Sequence, residues 1–114
     1  MPRNTLPAGA RPSTSIRING LLLDITNRQL VTKRNTHHLT PMECRLLAVL
    51  MQNAGDVLSR KYLMQEVWRT SFIEDTRTLE VHVCWLRKKI EQDPRRPQYL
   101  RTIRGRGYQF AIAH

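Results

Sequence analysis

The residues best suited to chemistry in this chain are cations, and they crowd toward its C-terminal end. From Arg77 onward nine Lys and Arg face only Glu80, Glu91 and Asp93, so six of the ten net positive charges fall in the last 38 residues. Between Arg77 and Ile90 they follow a helical period. At about 100° per residue, Leu79, Val83, Leu86 and Ile90 share one narrow stripe, while Arg77, Val81, Cys84 and Lys88 lie roughly opposite. Trp85 lies about 130° from the stripe, beside Thr78, and is expected to face outward. Arg87 sits only about 70° from the stripe, at a boundary from which a long side chain still reaches solvent. Further on, Arg104-Gly105-Arg106-Gly107 forms a basic tip between two short strand candidates. A basic helix face followed by an arginine-bearing loop suits a polyanionic duplex: a probe for the major groove and a second arm for phosphate or the minor groove. A merely solvated helix face requires no second arm.

Other chemistries find fewer candidates. His37-His38, and His82 with Cys84, offer metal-binding atom types, but no third and fourth ligand stands at suitable spacing, so no metal is expected. His37 and His38 read as polar loop residues. Glu43 is the one acid in a promising local pattern, and a helix cap accounts for it. With no paired carboxylates, no nucleophile beside a base and no phosphate loop, neither an enzyme nor a cofactor is expected. Cys44 and Cys84 stand forty residues apart with no second pair beside either, which reads as two reduced thiols, Cys44 packed in the core.

The elements that must position these residues follow from the rest of the chain. Its 114 residues suffice for one modest core, and the 40% hydrophobic and 25% charged fractions are those of an ordinary globular domain. Residues 1 to 14 hold three of the six prolines and almost no large apolar side chains, the profile of a linker or tail, so the folded domain is placed at 15 to 114. No window approaches the length of an apolar membrane span and no signal peptide is evident, so a cytoplasmic, non-membrane protein is expected. Alternating Ile16, Ile18, Leu21, Leu23 and Ile25, a turn at 26 to 29, and Leu30-Val31-Thr32 predict a small antiparallel sheet. Thr40 with Glu43 is a capping box and Pro41 opens a first, central helix, which ends before Gly55. Ser59 caps a second helix running to about Trp68, in which Tyr62 is expected to be core. Thr76 caps a third running to about Glu91, before Pro94. Tyr99 to Ile103 and Tyr108 to Ile112 predict a hairpin around the basic tip. The fold class is α+β.

From Leu39 to Phe110 the chain resembles the OmpR/PhoB-type effector domain of two-component response regulators. The carriers are Leu39-Thr40-Pro41-Met42-Glu43-Cys44-Arg45-Leu46-Leu47, Leu58-Ser59-Arg60 with Val67-Trp68, Arg77-Thr78-Leu79-Glu80-Val81-His82-Val83 with Leu86-Arg87-Lys88, and Thr102-Ile103-Arg104-Gly105-Arg106-Gly107-Tyr108-Gln109-Phe110. The resemblance implies a winged helix-turn-helix: an N-terminal four-stranded sheet, three helices and a C-terminal wing, the third helix entering the major groove and the wing the minor groove. It implies double-stranded DNA as partner for transcription regulation, with monomers binding direct repeats head to tail and a receiver domain preceding this one. Position by position, it places Arg60, Trp68, Thr78, His82, Arg87, Thr102 and Tyr108 at phosphates. Val81, Cys84 and Trp85 fall at base-facing places bordered by Arg77, and Arg104 at a wing arginine; Lys88 and Arg106 join this groove-facing set. The connection Arg69, Thr70, Ser71, Phe72, Ile73, Glu74 and Asp75 is similar to a loop that touches RNA polymerase. Relatives commonly carry arginine or another polar residue where this chain has Cys84 and Trp85, which implies less direct guanine recognition. Two other functions suit a basic winged helix, RNA binding and protein interaction. Aromatics, however, make up only 6% of the chain, and RNA readers rely on them for stacking.

Overall fold

A computed structural model describes residues 15–70 and 76–112. The expected linker at 1 to 14 and Ser71 to Asp75 of the expected polymerase loop lie outside the described residues. Four short strands come first, β1 (Ser15–Ile18), β2 (Leu21–Asp24), β3 (Gln29–Val31) and β4 (Thr36–His38), paired antiparallel in sequence order. Asn19 and Gly20 join the first two, with φ of 57° and 78°, the pair of positive values that a tight hairpin turn requires. Leu21, Leu23 and Leu30 turn inward from this sheet and are buried. Thr36 to His38, expected as polar loop, form a strand because His37 pairs opposite Leu30; pairing with a buried partner overrides the local polarity.

Helix α1 (Pro41–Gln52) begins at the expected residue. The Thr40 hydroxyl accepts from the Glu43 N–H at 3.2 Å and the Glu43 carboxylate accepts from the Thr40 N–H at 2.9 Å. Leu46, Leu47 and Leu50 are fully buried at the centre of the core, and Cys44 packs there as a thiol. After a two-residue strand β5 (Val57–Leu58), Ser59 caps a short α2 (Arg60–Leu63) that continues as a π-helical turn over Met64–Trp68. The second helix thus ends where expected but is not regular, and Arg69 closes it in the left-handed conformation at φ 57°. Tyr62, expected in the core, is 38% exposed; Leu63 and Met64 bury instead.

Helix α3 (Arg77–Ile90) buries Leu79, Val83, Leu86 and Ile90, the stripe that its period predicts. Each such side chain contributes about 1.5–3 kcal/mol on burial. Thr76 does not cap it as expected: at φ −97° and ψ 14° its hydroxyl turns to the Glu80 carboxylate at 3.3 Å instead of to the helix N–H groups. Strands β6 (Leu100–Ile103) and β7 (Gly107–Phe110) form the hairpin, and β5 pairs on the other side of β7. That three-stranded sheet closes the core with Leu100, Tyr108 and Phe110.

Gly107 lies directly against the backbone of β5 and the residue after it. Its φ is 144°, and a Cβ there would lie 2.0 Å from the Leu58 carbonyl oxygen, an impossible distance against backbone. Gly107→Ala is therefore expected to separate β5 from β7 and destabilise the chain by about 3 kcal/mol or more. Thermal melting and amide exchange of Val57 to Leu58 check this; a melting temperature equal to the parent's contradicts it.

Candidate nucleic-acid interface

The third helix is fixed at its C-terminal end before it presents anything outward. At its C-terminal end Lys89 donates to the buried Glu43 of α1 at 2.9 and 3.0 Å, and to the His38 carbonyl at 3.3 Å. Burial raises the Glu43 pKa, but the Thr40 N–H and the Lys89 ammonium outweigh it and hold the carboxyl below its ordinary range. One residue beyond the helix, Glu91 is 7% exposed and its two oxygens accept the N–H groups of Gln98, Tyr99 and Leu100 at 2.7–3.2 Å. Arg87 donates from Nε to the Leu100 carbonyl at 2.9 Å and from its terminal nitrogen to the Thr102 hydroxyl at 2.7 Å. Helix and hairpin are thereby one unit.

Two groups of the predicted phosphate-contact residues come together on this frame. Arg60, Arg87, Thr102 and Tyr108 meet from four elements: the Arg60 and Arg87 guanidinium carbons lie 5.3 and 6.0 Å from the Tyr108 ring centroid. Tyr108 itself is only 4% exposed, and Arg60 also lies 3.8 Å from the Glu80 carboxylate. In the second group Trp68, half-buried, meets the His82 ring edge-on at 5.1 Å, and His82 meets Trp85 at 5.0 Å. The His82 Nδ1 is 2.7 Å from the Thr78 carbonyl, to which it donates.

The predicted groove-facing residues line up as expected. Arg77, Val81, Cys84, Trp85 and Lys88 are exposed along α3, and Arg104 and Arg106 are exposed at the hairpin tip. Of the predicted polymerase loop, exposed Arg69 and half-buried Thr70 are described. The charge pattern missed three positioning interactions: Glu91 under the hairpin, Lys89 on Glu43, and Arg45, whose guanidinium donates to the Val67 carbonyl at 3.0 Å. Lys89 and Arg45 reach across 46 and 22 residues, whereas Glu91 bonds residues seven to nine further on. Exposed Arg101 on β6 adds a cation that the motifs did not single out. An open cleft of about 450 Å³ beyond the end of α3 is lined by Lys33, Arg34 and Lys88; the carboxylate on its wall, Glu91, is already saturated by backbone donors. Among the described residues no cluster of three or more metal-binding side chains occurs, and no helix is long and apolar enough to cross a membrane.

A helical pair followed by a hairpin, with the second of the two helices exposed along a cationic face, defines a winged-helix domain of the DNA-binding kind. The chain belongs to the family described as transcriptional regulatory protein, C terminal, which it matches over residues 34–110. It is 37% identical over 105 residues to the KDP operon transcriptional regulatory protein KdpE of Escherichia coli, covering 92% of this chain and 47% of KdpE. Its fold is similar to the RstA DNA-binding domain of Klebsiella pneumoniae in complex with RstA box, with a TM-score of 0.76 and 27% identity over 85% of this chain and 96% of that one. It is also similar to response regulator DrrB of Thermotoga maritima, an OmpR/PhoB homologue, with a TM-score of 0.75 and 33% identity over 86% of this chain and 44% of that one. These likenesses bear out the resemblance read from the motifs. The chain spans less than half the length of the curated relatives it matches.

The Glu43–Lys89 pair has a pH signature. A carboxyl held below its ordinary value of 4.5 stabilises the fold fully above that value and ceases to do so as pH falls through the lower, folded value. Equilibrium unfolding of the parent should therefore show stability falling as the solution is acidified below about 4.5, whereas Glu43→Gln should be less stable at neutral pH and flatter in that acid window. Parallel curves for the two chains would contradict this assignment.

Proposed function

We propose that this chain binds duplex DNA in a sequence-dependent way as the output domain of a two-component response regulator, with α3 in the major groove and the tip between β6 and β7 at the adjacent minor groove. The observation that carries the proposal is the exposed face shared by α3 and the hairpin. Arg77 and Lys88 stand on the helix, Arg104 and Arg106 on the tip, and the Arg60–Arg87–Tyr108 cluster between helix and sheet. Such a face matches phosphate on both sides of a groove. Arg60, Trp68, Thr78, His82, Arg87, Thr102 and Tyr108 are assigned to phosphate; Arg77, Val81, Cys84, Trp85, Lys88, Arg104 and Arg106 face the grooves. Arg87 plays this part while its Nε and one terminal nitrogen hold the hairpin, and Tyr108 does so from a nearly buried position. The proposal extends to monomers that bind direct repeats in tandem, to polymerase contact through Arg69 to Asp75, to a receiver domain in the full-length protein, and to action in the cytoplasm. The greater length of the curated relatives supports the receiver domain.

The test is selection of sites from a random duplex pool, followed by affinity against salt. One sequence class should be enriched, and log affinity should fall with log salt by about 0.9 for each phosphate contact. No enrichment together with a flat salt plot overturns the proposal. The wing assignment predicts that Arg104→Ala and Arg106→Ala each weaken binding, and more so on sites with a narrow A-tract minor groove. Parent-like binding by both variants on all sites contradicts it.

A further inference from the structure

The cations leave one feature of the α3 face unexplained. Val81 and Trp85 stand one turn apart and are 42% and 43% exposed, with exposed Cys84 beside Trp85. They form an apolar strip on a face otherwise made of Arg77, Thr78 and Lys88. An apolar patch rimmed by charge marks a contact surface. The strip is also held in place. Trp68 packs against the core, the His82 ring meets Trp68 edge-on, and the Trp85 indole lies against His82 at a tilt of 52°. The His82 Nδ1 bond to the Thr78 carbonyl fixes the middle ring. A three-ring ladder thus runs from the core to the outward face and restrains the indole before any partner arrives, which lowers the ordering cost of contact.

We infer that Trp85 together with Val81 determines sequence preference by apolar contact with thymine 5-methyl groups, and that His82 is the positioning residue that orients the Trp85 indole. The inference rests on the DNA-binding proposal above. Within a major groove each base edge offers donors and acceptors, and the thymine methyl is the one apolar group. Valine has no polar side-chain atom and indole has a single donor and no acceptor, so neither makes the two-point hydrogen bond by which guanine is recognised. The flanking Arg77 and Lys88, with Arg104 and Arg106 on the wing, complement a polyanion, which selects DNA over an apolar protein surface as the occupant of the strip.

The decisive experiment compares a selected duplex with the same duplex carrying deoxyuridine for thymine, which deletes the methyl alone. The parent chain should bind the thymine duplex about three- to fivefold more tightly for each methyl contacted. Trp85→Ala should melt close to the parent and bind the two duplexes alike. His82→Ala should lower the thymine-to-uracil ratio toward one, and His82→Phe, which keeps a ring at the middle of the ladder, should restore it; a change in phosphate affinity alone would leave that ratio unmoved. A parent that enriches a site but does not distinguish thymine from uracil overturns the inference and leaves the DNA-binding proposal standing. So does a Trp85→Ala variant that retains the full ratio or melts far below the parent. A full ratio in His82→Ala overturns the positioning role. A parent that enriches no site and shows no salt dependence fails the underlying proposal first.

Discussion

A buried carboxylate must be satisfied, and in this chain the way Glu91 is satisfied determines where the wing stands relative to α3. The helix ends at Ile90, the next residue turns inward, and its two oxygens take the N–H groups of Gln98, Tyr99 and Leu100, the residues that lead into β6. One turn earlier Arg87 donates to the carbonyl of Leu100, the residue whose N–H Glu91 accepts. Leu100 is thus held at both its N–H and its carbonyl by side chains from the last turn of α3 and the residue that follows it. Leaving such groups unpaired costs about 1–3 kcal/mol each, and more where charge is involved, so the junction resists sliding. A helix probe and a wing arm serve one duplex only if their separation is constant.

The same economy of side chains shapes the exposed face. Lys89 is in the last turn of α3, where a cation is already favoured by the helix dipole, and it is spent on Glu43. Arg87 is spent largely on β6. What remains for a partner is the opposite side of the helix, because the Leu79–Ile90 stripe is committed to the core. The cationic face and the apolar strip at Val81 and Trp85 are therefore both consequences of how the inner face packs, and the Trp68–His82–Trp85 ladder ties the strip to that packing.

Features decided within a few residues were legible in the sequence. Thr40, Pro41 and Glu43 mark the start of α1 because a capping box is local, and the stripe of α3 is legible because its period spans four turns. Outward placement of Trp85 followed from the same period. Features decided by distant partners were not. Strand β4 exists because His37 meets Leu30, and β5 because Leu58 meets Tyr108; two or three residues carry no period of their own. In the second helix Leu63, Met64 and Val67 bury while Tyr62 stays exposed, and Glu91 gives no sign of its role until β6 is folded beside it. The exposed cationic face of α3 and the hairpin tip was visible as chemistry, whereas the Arg60–Arg87–Tyr108 cluster needed several elements to converge.

If α3 and the wing meet the duplex as one rigid unit, titrating a selected duplex into the isotope-labelled chain moves their backbone amide resonances together in NMR spectra. Shifts should concentrate on Arg77 to Lys88 and on Arg101 to Tyr108, saturate together at one duplex concentration, and leave β1 to β3 unmoved. Saturation of helix and wing at different concentrations, or shifts centred on the N-terminal sheet, would contradict it.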